Sequence, residues 1–83
     1  MKLRDTIDLM CSDDYKDRFK AEYLQLKIRY DKLSEMIDKW NSGLLDFTPT
    51  CNKGVYEKQL SAMGKYLFVL EVRAEIEGVN ITE

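Results

Sequence analysis

Apolar positions recur along this chain in two matched ladders. Phe19, Tyr23, Leu26, Tyr30, Leu33, Ile37 and Trp40 step by four and three in alternation, and Tyr56, Leu60, Met63, Leu67, Leu70 and Ala74 repeat the same steps. Such spacing puts every rung on one side of an α-helix, and a seven-residue repeat favours left-handed supercoiled packing. Folding the second helix back on the first pairs Trp40 with Tyr56, Ile37 with Leu60 and Leu33 with Met63. Tyr30 then meets Leu67, Leu26 meets Leu70, and Tyr23 meets Ala74. The ladders therefore predict an all-α fold built on an antiparallel two-helix hairpin.

The punctuation of the chain sets the expected boundaries within one domain over residues 1–83. Residues 1–11 carry Leu3, Ile7 and Met10 at helical spacing and form a short N-terminal helix or an arm against the hairpin. Ser12 is a suitable N-cap, with Asp13 and Asp14 complementing the positive helix end, so a helix is predicted over 13–41. Asn41-Ser42-Gly43 stops it. The connection, 42–53, contains Pro49, and its Leu44, Leu45 and Phe47 are expected to fold down as a lid. Thr50 or Asn52 caps a second helix over 54–77, Gly78 ends it, and 78–83 is a tail. Gly64 inside that helix costs ~1 kcal/mol relative to alanine; it either admits a close neighbour or is simply tolerated.

The second helix has more apolar residues than one seam can hide. Val55, Ala62, Tyr66, Val69 and Ile76 form a parallel stripe, which Phe68 and Val72 widen. Leu24 and Ile28 lie off the seam of the first helix. A surplus of this size marks an interaction surface, and closed homo-oligomers are the commonest way to cover one. The hairpins are expected to oligomerise into a helical bundle; cover by the N-terminal arm and Leu44–Phe47 is the alternative.

Composition narrows the chemistry. Charged residues make up 34% and hydrophobic ones 45% of the 83 positions, the balance of a folded, soluble domain. A net charge of −2 speaks against a strongly basic nucleic-acid binder. The N-terminal residues mix charges with apolar side chains, unlike a secretory leader, and no apolar run is long enough to cross a bilayer. Cys11 and Cys51 are expected as reduced thiols, consistent with a cytoplasmic setting. With no histidine, no paired metal-ligand spacing and no phosphate-cradling glycine loop, the chain is expected to be neither an enzyme nor a metal or cofactor carrier.

The remaining candidate chemistry is basic and aromatic. Lys16, Lys20 and Lys27 flank Tyr23 and Tyr30, an arrangement that suits either a solvated seam edge or a stacking surface with cations beside it. Aligning the rungs brings Arg73 near Glu22 and within reach of Arg18 at the open end of the hairpin. There Arg73 either clamps Glu22 or serves a ligand between subunits. Tyr15, Arg18, Glu22 and Arg73 are the candidate ligand-binding residues: arginines for phosphate, Tyr15 for stacking on a base, Glu22 for orientation or a ribose hydroxyl.

The run Asp14-Tyr15-Lys16-Asp17-Arg18-Phe19-Lys20-Ala21-Glu22, with Leu26 and Leu33, resembles small proteins of gut bacteriophages and prophages related to a crAss-like phage gene product. The resemblance continues through Phe47-Thr48-Pro49-Thr50-Cys51, Gln59-Leu60, Ala62-Met63, Tyr66-Leu67, Leu70-Glu71 and Arg73, covering roughly residues 12–78. It implies an accessory phage protein that counters bacterial immunity in the host cytoplasm. In size and helical build the chain is similar to phage signal sponges, including the anti-CBASS and anti-Thoeris proteins and the Sequestin and Lockin families. By that analogy its partner is a nucleotide-type immune signal, a cyclic oligonucleotide or an ADP-ribose derivative, held without catalysis. The alternative is an anti-CRISPR-like inhibitor that binds a host protein. No ligand motif of those families carries over to particular residues.

Overall fold

The computed structural model describes Met1–Glu83 and is helical throughout. A 3-10 turn, Leu3–Thr6, runs into α1, Ile7–Met10; two long helices follow, α2 at Tyr15–Asn41 and α3 at Lys53–Glu77. The molecule is a thin rod, 43 × 24 × 18 Å. α3 turns back along α2. At one end Trp40 meets Tyr56 edge to face, with ring centroids 6.1 Å apart, and at the other the Tyr15 hydroxyl donates to Glu77 at 2.9 Å. All the ladder residues of both helices are buried or half-buried, as one seam requires.

Capping explains where the helices begin. Ser12 does not cap α2: its hydroxyl accepts from the Asp14 N–H at 3.0 Å and donates to Asp17 at 2.8 Å. That turn hands the cap to Asp14, whose carboxylate accepts from the Lys16 N–H at 2.9 Å. Asn52 caps α3 by accepting from the Val55 N–H at 3.1 Å. α3 ends at Gly78 with φ +69, a left-handed conformation that glycine adopts without strain. The Val79 N–H then bonds back to the Ala74 carbonyl at 2.9 Å, and Val79 itself turns under the helix end.

The core is concentrated at this open end. Phe19, Leu70, Ala74 and Val79 form one buried cluster, with Tyr23, Leu26 and Ile81 packed against it. The tail thus closes the core. Toward the hairpin tip burial thins, and Leu33 and Met63 are only half-buried. The connection does not form the expected lid: Leu44 and Phe47 remain exposed, while Lys53 covers Trp40, its ammonium 5.4 Å from the ring centroid. Of the three apolar residues expected in the lid, Leu45 alone is half-buried.

The N-terminal segment lies on α2, where it covers the off-seam residues Ala21 and Leu24. Its anchor is polar. The fully buried Thr6 hydroxyl donates to the Leu3 carbonyl at 2.7 Å and accepts from the Gln25 amide at 2.9 Å. Nothing covers the matching stripe of α3, and Phe68 and Ile76 remain 66% and 78% exposed.

Two substitutions separate the packed end from the rest. Leu70, 1% exposed, should lose ~2–5 kcal/mol on change to alanine, and half-buried Leu33 should lose less. A β-carbon at Gly64 would stand 3.5 Å from the Tyr30 ring, an ordinary contact. Gly64→Ala should therefore stabilise the fold, by up to ~1 kcal/mol from helix propensity. Urea unfolding monitored by circular dichroism measures all three; Leu33→Ala costing more than Leu70→Ala would misplace the core.

Candidate functional site

The expected four residues fall into two adjoining groups along the open half of the hairpin. In the first, Arg73 reaches along its own helix, donating through Nε to Glu77 at 2.9 Å. A second guanidinium nitrogen donates to the Tyr15 hydroxyl, which itself donates to Glu77. The guanidinium also lies over the Phe19 ring, 4.8 Å from its centroid, and Tyr15 meets that ring edge to face at 6.2 Å. The anticipated Arg73–Glu22 clamp does not form. Glu77 stands one helical turn from Arg73 and needs no reach across the seam, and Glu22 instead accepts from the Tyr66 hydroxyl of α3.

In the second group, Arg18 and Glu22 line a groove of about 290 Å³ between α2, the end of α1 and α3, shared with Gln25, Arg29, Met10 and Tyr66. Arg18 donates to the Ser12 carbonyl at 2.8 Å. Neither Arg18 nor Arg29 pairs with a carboxylate; the ion pairs of the molecule are Lys27–Asp31, Lys39–Glu35 and Arg73–Glu77. The Gln25 amide joins the groove to the arm, donating to Thr6 and, at 3.5 Å, to the Met10 sulfur. The arm is thus one wall. Two guanidinium forks, a phenol and an apolar floor can bind oxyanions and planar groups together.

Gln25, Arg29, Tyr66 and Glu77 were not among the anticipated site residues. For Gln25 and Arg29 the signal was present: Tyr15, Arg18, Glu22, Gln25 and Arg29 advance by three and four, a second ladder beside the apolar one. Tyr66 reads as part of the apolar surplus, and its role depends on the rotation of α3 about its axis.

The electrostatics of the first group agree with its geometry. Hydrogen bonds from Arg73 and then from Tyr15 hold the Glu77 carboxyl below its ordinary value. Acceptance by Glu77 raises the Tyr15 phenol above its own. The Arg73 guanidinium, bonded to Glu77, is raised as well, and adjacent Glu22 adds a smaller attraction. Arg73 is thus a fully charged group at the rim of the groove.

A slender helical hairpin with an open groove lined by Arg18, Arg29, Glu22 and Tyr66 defines the class: a small all-helical protein without strands. Residues 13–76, which take in the connection and nearly all of both long helices, match the Sequestin family, and the chain belongs to it. The relation is to phage anti-defence proteins of the Sequestin type, and a sequestering role is the one this family supports. No curated protein and no solved structure matches the chain. No helix is long and apolar enough to cross a membrane.

Linkage gives the Glu77 cluster a testable pH signature. A depressed carboxyl value means that its contribution is present above the ordinary glutamate value, roughly pH 4.3, and is lost as pH falls through the lower folded value. Carboxyl carbon resonances should show Glu77 titrating below the ordinary glutamate value. Arg73→Ala should move the midpoint up, and Tyr15→Phe should move it up less. An ordinary midpoint in the native protein would show the cluster to be open in solution.

Proposed function

We propose that this protein is a phage anti-defence sponge that binds and sequesters a nucleotide-derived immune signal, a cyclic oligonucleotide or an ADP-ribose derivative, in the cytoplasm of the bacterial host. Capture needs no bond to be made or broken, so the site requires only complementary charge, hydrogen bonds and stacking. The observation that carries the reading is the pair of guanidinium groups, Arg18 and Arg29, free of carboxylate partners along one groove with Tyr66 opposite. Family membership supports the sequestering part of it.

Each residue has a role in this scheme. Arg18 and Arg29 take phosphate oxygens, Tyr66 supplies an aromatic edge or face, and Gln25 offers an amide to a base or ribose. Glu22 orients Tyr66 and accepts from a sugar hydroxyl. Tyr15 and Arg73 form the outer lip, with Arg73 adding charge. At about 290 Å³ the groove lies at the low end of small-molecule sites, which span ~300–1,000 Å³. A neighbouring subunit of a homo-oligomer completes it. The exposed apolar face of α3 favours one other reading, a protein inhibitor that lays this helix into a partner's groove.

Calorimetric titration with a panel of cyclic oligonucleotides and ADP-ribose derivatives tests the proposal, together with analysis of small molecules released on heating. A charge-assisted hydrogen bond is worth ~1.5–3 kcal/mol, so Arg18→Ala and Arg29→Ala should each weaken binding ten-fold or more. Arg73→Ala should cost less, since that guanidinium is already engaged. Binding unchanged in both groove variants would move the site elsewhere. Failure of every signal to bind the folded protein would favour the protein-inhibitor reading.

A further inference from the structure

The uncovered face of α3 runs from Val55 to Ile76, about 32 Å at 1.5 Å per residue, and Tyr66, Val69 and Val72 lie along it. α2 had the same problem and solved it with the arm; α3 has no such cover. The charges of α3 point to what lies there. Its N-terminal half carries Lys53, Lys58 and Lys65 against Glu57 alone, and its C-terminal half carries Glu71, Glu75 and Glu77 against Arg73 alone. This is the reverse of what the helix dipole favours, since no acidic side chain occupies the first turn and no basic one the last. No ion pair joins α3 to α2, since every ion pair in the hairpin lies within one helix. A helix polarised against its own dipole is complementary to an antiparallel copy of itself.

We propose that α3 pairs with α3 of a second copy in antiparallel orientation, about a two-fold axis near Val69, the centre of the densest part of the stripe, Ala62 to Ile76. Such an axis lies perpendicular to both helices and keeps like flanks together. Lys65 of one copy then lies within a turn of the level of Glu75 of the other, and Phe68, 66% exposed in the single hairpin, is covered on the same flank. On the opposite flank the two Tyr66 side chains approach the axis. Both grooves open on that flank, so one groove's edge becomes a wall of the other. The pairing stands on α3 alone; its consequence for the groove rests on the ligand reading above.

Light scattering of the untagged, ligand-free protein should give twice the 9.8 kDa chain mass, or a multiple of that pair. Val69→Glu and Ile76→Lys alter side chains that are 52% and 78% exposed in the hairpin, so they should halve the mass and leave the helical signal intact. Lys65→Glu should shift the dissociation constant upward at least several-fold, and adding Glu75→Lys should restore it. Mild oxidation should not join two copies through Cys51, which antiparallel pairing puts at opposite ends. A monomer at high micromolar concentration, a mass unchanged by Val69→Glu, no charge-swap rescue, or a Cys51–Cys51 link would each overturn the pairing. If the mass behaves as expected and no nucleotide binds, the pairing stands and the ligand reading alone falls.

Discussion

A helix that touches one other helix has a single apolar stripe in contact, roughly a third of its circumference, and every further apolar residue needs another partner. That limit governs this chain. Only 9 of its 83 residues are buried, and the tightest packing is confined to the open end, where Phe19, Leu70 and Ala74 are joined by Val79 from beyond the helix. α2 gains a second partner in the arm, held by Thr6 and Gln25. α3 gains none, and its outer surface is the largest unresolved apolar cost in the molecule. The groove exists at the boundary between these two situations, with the arm on one side and the free helix on the other.

The hairpin was legible because helical periodicity is a repeated signal. Thirteen rungs at steps of three and four specify a seam more strongly than any single propensity does, and the pairing of Trp40 with Tyr56 is read directly from it. Single-residue chemistry was less legible. Ser12 and Asp14 are both good caps, and only the competition among Asp14, Asp17 and the backbone for the Ser12 hydroxyl decides between them. The apolar connection suggested a lid, yet Leu44 and Phe47 lie open, the Leu44 N–H being tied back to the Lys39 carbonyl at the end of α2.

The candidate site shows the same division. Its location at the open half follows from the register, and Arg18, Glu22, Tyr15 and Arg73 do lie along that surface. Their partners do not follow from it. A long side chain such as Arg73 chooses among groups within several ångströms, and the one-turn neighbour Glu77 prevails over a cross-seam carboxylate. The basic ladder through Gln25 and Arg29 was visible in the spacing but hidden beside a more regular apolar one. Membership of the Sequestin family is carried by residues 13–76 as a whole and singles out no side chain among them.

Trp40 is the single tryptophan of the chain, and it stands at the hairpin tip, edge to face with Tyr56 and beneath the Lys53 ammonium. The basic groove lies at the other end of the same two helices. Intrinsic emission excited at the indole band is therefore a local gauge of whether the tip stays zipped. Changes confined to the far end of the hairpin would leave this emission largely unaltered. The molecule thus carries a one-residue reporter of its tip, set apart from its five tyrosines by excitation at the red edge of the indole band.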